Sequence, residues 1–280
     1  MKPVLPSLIF WIRHVLTSLC FSCAKVNKFI LQKKGSDPFA FAFRSLMFGD
    51  SMLKANDDFD LVSALQKIDI RVPGRTEGRT KEHTERYAVA HLLNTLLKSH
   101  RIQYPFSLAH RDRPDFLLSM GDHQIGIEHT EAVPQNEAHK MALREKGYGF
   151  SVYNVAHVAL GEEKRTAKEL IQEIKADEFG EGWIGNSVER EWVEAMSYCV
   201  KQKLDALQKD GFLKFDENWL LLYDNWPLPG LHEKEAVVLL SQHINNTDIL
   251  ADFSHIFIIT GKFLCEISQV GPKLHKMEEH

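Results

Sequence analysis

Two acidic residues on neighbouring short runs have the types and spacing that best suit catalysis. Residues 115–120 and 123–130 alternate in polarity around Gly121-Asp122, a pair typical of a two-residue hairpin turn. Counting outward from that turn sets Asp115 opposite Glu128. Facing carboxylates about 5 Å apart repel each other, so either a positive charge lies between them or this register is wrong. Oxygen ligands of this kind favour a hard divalent cation.

The helix that precedes the hairpin offers further charged groups. Residues 82–100 repeat apolar side chains at helical spacing, and extending that stripe backwards places Glu85 on the inward face. Glu85 is either an acid favoured by the start of the helix or a further metal ligand. Ahead of the helix lies a basic, glycine-rich stretch in which Arg75 and Arg79 are either phosphate contacts or part of a solvated loop.

The elements around the hairpin follow from the same patterns. Residues 101–109 read as a strand, and helices are predicted over 136–147, 161–177 and 186–209, the last capped by Asn186 with Glu189. Lys203 borders the buried stripe of that last helix, where a lysine commonly directs its charge to water. Buried strands at 218–223 and 256–260, a helix at 233–243 and a strand at 263–267 complete the pattern.

Pro114-Asp115, followed by Glu128-His129-Thr130 on the next strand, resembles the PD-(D/E)XK nuclease superfamily. The resemblance covers about residues 80–225 and implies an α/β fold with a restriction-endonuclease-like αβββαβ core, a mixed central sheet flanked by helices. It also implies that Asp115 and Glu128 hold Mg²⁺ (or Mn²⁺), aided by the backbone carbonyl of His129. Glu85 is then the candidate for an additional ligand.

The sequence departs from that family at one position. The lysine expected two residues after Glu128 is Thr130, which carries no charge to stabilise a developing phosphorane. Lys203 is the candidate for a migrated catalytic lysine, and Lys201 is the second choice. Strand alternation directs the side chains of His129 and Glu131 to the face opposite Glu128.

Composition limits the function classes. The chain has 280 residues, 44% hydrophobic and 26% charged, with a net charge of −4, which is typical of an ordinary globular protein. DNA binding therefore needs a local basic patch, for which Arg111 and Arg113 beside the hairpin are candidates together with Arg75 and Arg79. Four scattered cysteines argue against a disulfide framework and fit a cytoplasmic location.

The chain divides into four segments by composition. Residues 1–46 form an apolar extension, 47–80 a loop and helix lead-in, 81–270 the nuclease-like domain, and 271–280 a frayed tail. The extension is interrupted by Arg13-His14, so no stable membrane insertion is expected. It is a membrane-surface helix, a degenerate signal, or an over-long start before Met47 or Met52. Cys20 and Cys23 have CxxC spacing but lack a second pair.

These observations give one leading function and two alternatives. The first is a Mg²⁺-dependent nuclease that hydrolyses DNA phosphodiester bonds, of a mobile-element or defence kind. The second is a catalytically inactive member of the same fold that binds nucleic acid or a protein partner. The third is a peripheral membrane protein that uses residues 1–34. The sequence leaves open whether the protein forms a homodimer.

Overall fold

The computed structural model describes residues 51–149, 160–176, 182–209, 215–226, 228 and 230–277. The chain divides into Met1–Gly49 and Asp50–His280, and the described residues all belong to the second unit. The predicted extension 1–46, with Cys20 and Cys23, lies outside the described residues. Within them, no helix is long and apolar enough to cross a membrane.

Eight strands in the described residues form one mixed sheet in which the spatial order follows the chain, β1 to β8. The strands are β1 (Ser51–Ala55), β2 (Phe106–His110), β3 (Phe116–Met120), β4 (His123–Ala132), β5 (Glu217–Asp224), β6 (His255–Thr260), β7 (Phe263–Ser268) and β8 (Gly271–Lys276). The central strands β4, β5 and β6 are parallel, and the other neighbours are antiparallel.

Seven helices accompany the sheet in the same described residues. They are α1 (Asp58–Leu65), α2 (Lys81–Lys98), α3 (Gln135–Glu145), α4 (Ala167–Ala176), α5 (Ser187–Leu207), α6 (Glu233–Asn245) and α7 (Ile249–Asp252). The order from α2 to β5 is thus helix, three strands, three helices and a strand. The prediction of an α/β fold with a mixed central sheet is confirmed at this level.

The hairpin forms in the predicted register. Met120 faces His123 and the pairing continues to Phe116 with Ile127. Gly121 has φ 60°, a left-handed conformation that suits the turn and that glycine adopts without strain. The ladder ends one pair before Asp115 and Glu128, because β3 begins at Phe116. Asp115 therefore lies at the end of β3, beside the continuing strand β4.

Two hydrophobic layers cover the sheet. The apolar face of the hairpin packs with α1 and α2, whose contacts include Leu92 and Leu96. The opposite face, which carries Leu220 and Leu222 of β5, packs with α5 and α6 through residues such as Met196. The near-continuous apolar run of β5 is therefore explained, since both of its faces are buried. The first turn of α2 and the inner face of α5 both reach the end of β3.

Four expectations need correction. Residues 51–65 belong to the sheet and its first layer as β1 and α1, so the lead-in is part of the fold. Residues 271–276 of the supposedly frayed tail form β8, because the edge of β7 offers unpaired backbone groups. The predicted strand 101–109 is β2, which starts only at Phe106, and the predicted helix 161–177 is α4, which starts only at Ala167.

The predicted cap of α5 is also wrong in its contacts. Asn186 is the N-cap residue, but its side chain makes no capping hydrogen bond. Glu189 is buried and accepts a hydrogen bond from the backbone N–H of His232 instead of turning back to the helix start. Packing of α5 against the segment before α6 therefore replaces the local cap.

Candidate active site

The two predicted acids lie close together and are buried. Asp115 is 3% exposed and Glu128 is 6% exposed. The backbone N–H of His129 donates to Oδ2 of Asp115 at 2.7 Å, which fixes this carboxylate against β4 where β3 has ended. The absence of a side chain at Gly126 leaves room for the segment that carries Pro114 and Asp115, since a Cβ at Gly126 would lie 3.1 Å from Cγ of Pro114. The end of β3 thus brings Asp115 to the strand that carries Glu128.

Lys203 reaches both carboxylates from α5. Its Nζ lies 2.8 Å from Oε2 of Glu128 and 3.7 Å from Oδ2 of Asp115. The side chain is 22% exposed, so this border lysine directs its charge inward and not to water. Lys201, the second choice, is exposed. The structure therefore brings together the three residues predicted to be catalytic.

A second lysine, which the sequence reasoning did not single out, also contacts the pair. Lys81 is the first residue of α2, and its Nζ lies 2.5 Å from Oδ1 of Asp115 and 2.8 Å from Oε1 of Glu85. Its side chain is 67% exposed, so the ammonium closes the site from the solvent side. The i, i+4 spacing of Lys81 and Glu85 was a signal that could have found it.

Glu85 is connected to Asp115 by the Lys81 ammonium, which contacts both carboxylates. It is 2% exposed, and its Oε2 lies 2.9 Å from Nε2 of His110. Its Oε1 is buried and accepts no hydrogen bond, although the Lys81 ammonium is within ion-pair distance. We call Asp115, Glu128, Glu85, Lys81 and Lys203 the site cluster.

The two central carboxylates differ in pKa. Burial alone would raise the pKa of Asp115, but the hydrogen bond from Lys81, the charge of Lys203 and the amide of His129 hold it below the ordinary value. Burial raises the pKa of Glu128 above its ordinary value even though Lys203 lies against it. Glu128 is thus the incompletely compensated acid of the pair.

A pocket of about 380 Å³ opens beside the cluster. The residues that line it are Arg75, Arg79, Thr80, Lys81, Thr84, His129, Thr130, Glu131 and Lys203. His129 and Glu131, which strand alternation directs away from Glu128, nevertheless line this pocket. Alternation does place them on the α2 face, but β4 runs on beyond the end of β3, so the pocket reaches both faces of its free edge.

His129 is an unusual member of the pocket wall. It is 2% exposed, and neither Nδ1 nor Nε2 has a hydrogen-bond partner. Burial lowers the pKa of His129 to about 3, so the imidazole is neutral at pH 7. Buried polar atoms are nearly always hydrogen-bonded, so two orphaned nitrogens on a pocket wall indicate a place for a ligand or water.

Arg75 and Arg79 lie in the pocket wall, held by one acid. Each directs an NH2 group to Oε1 of Glu131, at 2.8 and 2.9 Å, and the side-chain amide of Asn225 donates to the same oxygen at 2.8 Å. Nε of Arg75 is buried without a partner. The glycine-rich segment before α2 is thus an ordered part of the site.

The other two predicted DNA contacts lie apart from this pocket. The guanidinium of Arg111 lies 5.8 Å from the ring centroid of Phe215, and Arg113 is exposed. Neither lines the pocket. They flank the turn that leads to Asp115 and remain predictions as nucleic-acid contacts.

The donor set suits a lightly coordinated Mg²⁺. In the described part of the chain, no group of three or more His, Cys, Asp or Glu side chains is placed to hold a metal. Mg²⁺ nevertheless binds through one or two carboxylates and keeps several waters. Asp115, Glu128 and Oε1 of Glu85 supply hard oxygen donors, and the Lys81 side chain that contacts two of them is 67% exposed, enough to move aside.

Comparison of the chain with protein-family models, curated proteins and solved structures gives no match.

Proposed function

We propose that the protein is a Mg²⁺-dependent nuclease that hydrolyses phosphodiester bonds of DNA. The observation that carries the proposal is the Lys203 ammonium, 2.8 Å from Glu128 and 3.7 Å from Asp115. The acids and a lysine of the resembled family are thus present, with the lysine supplied by α5. Membership of the PD-(D/E)XK superfamily is part of the proposal, supported by the element order from α2 to β5.

Asp115 and Glu128 would hold the metal, with Glu85 and the His129 carbonyl as further donors. The N–H and C=O of one strand residue point to the same edge of the strand. Because the N–H of His129 points to Asp115, the carbonyl of His129 is also directed to the side of Asp115. A bound Mg²⁺ supplies a water of lowered pKa and neutralises phosphate charge.

Lys203 takes over the charge that Thr130 cannot provide. Its three N–H donors contact Glu128 and reach the pocket, so the ammonium can orient a water and face the negative charge that develops on the phosphate. A lysine from a neighbouring helix does this as well as one on the strand, because only the position of the charge matters. Thr130 lines the same pocket as a neutral group.

The proposal includes three further predicted properties: the location, the partner and the oligomeric state. A cytoplasmic location is supported by Cys199 and Cys265, which are free and buried, as in reducing compartments. A local patch of arginines at a pocket supports DNA as the partner despite the acidic net charge. A homodimer stays a prediction.

The test is DNA cleavage with a matched pair of lysine variants. Linear and circular DNA are incubated with Mg²⁺ or Mn²⁺ and the wild type, Lys203→Met or Lys201→Met. We expect Lys203→Met to lower the cleavage rate about a hundredfold, because it removes one preorganised charge from the reacting phosphate. Lys201→Met should match the wild type, since that side chain is exposed on the same helix.

Two results would overturn the proposal. One is the absence of metal-dependent cleavage by folded wild-type protein. The other is cleavage that persists in Asp115→Ala, because a contaminating nuclease would then be responsible.

The second candidate function is nucleic-acid binding without hydrolysis. It is favoured by Lys81, because Lys81 and Lys203 place two positive charges against the carboxylates where a metal ion would otherwise lie. This alternative predicts that DNA binding is retained, that no strand is cut, and that binding is indifferent to Lys203→Met.

A further inference from the structure

The pocket beside the site cluster has features that the carboxylate pair does not use. Four of its nine lining residues, Arg75, Arg79, Lys81 and Lys203, are cationic, and Glu131 is its one acid. The pocket also lies at the start of α2, where the helix dipole favours an anion. Its charge therefore suits a negatively charged ligand.

Unpartnered buried atoms point independently to a ligand. Both ring nitrogens of His129 and Nε of Arg75 are buried without hydrogen-bond partners. The Arg75 guanidinium is a permanent donor, and an imidazole offers a donor and an acceptor on opposite sides of the ring. A phosphate oxygen suits the donors, and a sugar hydroxyl suits the acceptor.

Glu131 does not take the place of the ligand; it orients the arginines that would bind one. It binds one NH2 group each of Arg75 and Arg79, together with Asn225, through a single oxygen. Each guanidinium has five N–H donors, so the contact orients the arginines and leaves further donors for a ligand.

The depth of the pocket decides which phosphate fits. His129 is 2% exposed, so a ligand meets its ring only after the pocket wall shifts, and a slender protruding group requires the smallest shift. A phosphate inside a strand has a sugar on either side, whereas a phosphate at a strand end projects freely. The pocket volume of about 380 Å³ lies in the range of about 300–1,000 Å³ of small-ligand sites and leaves room for sugar atoms.

We infer that this pocket binds the terminal phosphate of a DNA strand, with Arg75 and Arg79 as charged contacts and His129 as the buried one. The inference rests on the proposed function for the identity of the polymer. It makes the protein an enzyme that recognises strand ends, with Asp115 and Glu128 next to the bound end.

The experiment measures binding in EDTA, where no hydrolysis occurs. Labelled oligonucleotides of one sequence carry a 5′-phosphate, a 3′-phosphate or only hydroxyl ends, and their affinities are compared by fluorescence anisotropy. We expect one phosphorylated end to bind about tenfold or more tightly than the hydroxyl end, as for one or two charge-assisted hydrogen bonds. Inorganic phosphate should compete with that end.

The variants separate the pocket from general charge. Arg75→Gln and His129→Gln should abolish the preference for the phosphorylated end. Arg71→Gln is the matched control, because Arg71 stands in the same segment with an 87% exposed side chain paired to Asp69. In Arg75→Gln, Arg79 and Asn225 still hold Glu131, so the segment should stay folded; a melting curve of each variant checks this.

Equal binding of phosphorylated and hydroxyl ends by the wild type would overturn the inference. So would an equal loss in Arg71→Gln and Arg75→Gln, which would mean diffuse attraction to phosphates. The outcome is separable from the nuclease proposal. If the protein prefers phosphorylated ends but never cuts DNA, this inference holds and the nuclease proposal fails. If it cuts DNA without a preference for phosphorylated ends, the nuclease proposal holds and this inference fails.

Discussion

Two clusters of buried charge lie on the same sheet, and they are built differently. The site cluster lies where β3 ends. The second cluster, here the edge network, comprises Arg101, Glu217, His255, Glu266 and His275. Both set carboxylates against cations, and Glu266 is as buried as Asp115, at 2% exposed. None of the members of the edge network lines the pocket.

The edge network satisfies its acids from both sides. Oε1 of Glu266 accepts from Arg101 at 2.8 Å, and Oε2 lies 3.0 Å from Nε2 of His275. Oε2 of Glu217 accepts from Trp219 at 2.7 Å and from Ser254 at 2.6 Å. Burial would raise both pKa values, but these partners hold the pKa of Glu266 below its ordinary value and that of Glu217 at about 2.

The site cluster leaves polar groups unsatisfied. Burial raises the pKa of Glu128, and neither ring nitrogen of His129 has a hydrogen-bond partner. A network that serves stability completes its hydrogen bonds, whereas a functional site keeps groups in reserve for a ligand. The difference between the clusters is therefore a physical reason to place function at the end of β3.

The largest expected effect is on catalysis. Glu128→Gln should lower DNA cleavage about a thousandfold or more, because the charge stabilisation lost with a metal is worth several kcal/mol. Glu266→Gln should leave the rate per folded molecule unchanged. Cleavage assays on the two variants measure this, and equal losses would remove the functional distinction between the clusters.

The stability of the same two variants should show the reverse order. Glu266→Gln leaves Arg101 without its buried carboxylate and should lower the free energy of unfolding by about 3 kcal/mol. Glu128→Gln removes a carboxylate whose charge is disfavoured and should change it by no more than about 1 kcal/mol, towards higher stability. Urea unfolding measures both; a larger loss for Glu128→Gln would contradict the comparison.

Acid should destabilise the protein through the edge network. The lowered pKa values of Glu217 and Glu266 mean that their stabilisation is present above pH 4.5 and is lost as the pH falls, in the case of Glu217 through about 2. Burial lowers the pKa of His255, so the unfolded state gains a proton below about pH 6.5 before the folded state does. The free energy of unfolding should therefore fall on acidification.

Glu128 contributes with the opposite sign. Its raised pKa lets the folded state bind a proton above pH 4.5, so stability from this group falls as the pH rises through that window. Urea unfolding from pH 3 to 8 should show a flatter acid limb in Glu266→Gln than in the wild type. Glu128→Gln should lose stability on acidification as the wild type does. If the curve of Glu128→Gln were flattened and that of Glu266→Gln were not, the acid sensitivity would belong to the site cluster, and the prediction would be contradicted.

The smallest effect concerns Lys81, the exposed cation of the site cluster. Its ammonium lies between Asp115 and Glu85, where it competes with a metal ion. Lys81→Met should tighten Mn²⁺ binding about tenfold, equal to roughly 1.4 kcal/mol of removed competition. Titration calorimetry without DNA measures this. Unchanged affinity in Lys81→Met would mean that Lys81 does not cover the metal position. Lys98→Met, at the other end of the same helix, is the control and should leave the Mn²⁺ affinity unchanged.

The sequence by itself determined the local parts of the site. The alternation of apolar residues and the Gly121-Asp122 turn set the hairpin register, because side chains along a strand repeat every two residues and the turn fixes the pairing. The helical stripe likewise predicted α2 and α5 to within two residues at each end. Asp115 and Glu128 could be paired on that basis, and the resemblance to a nuclease family then singled out Lys203 at the border of the α5 stripe.

Only the tertiary structure decided how distant segments meet. The contacts of Lys81 and of Arg75 and Arg79 depend on where α2 begins relative to the end of β3, and β8 depends on the free edge of β7. The pocket that His129 and Glu131 line lies beside the part of β4 that runs on beyond the shorter strand β3. Such contacts follow from packing between elements far apart in the chain, and no local periodicity encodes that packing. They bring the positive charges that the buried carboxylates of the hairpin require.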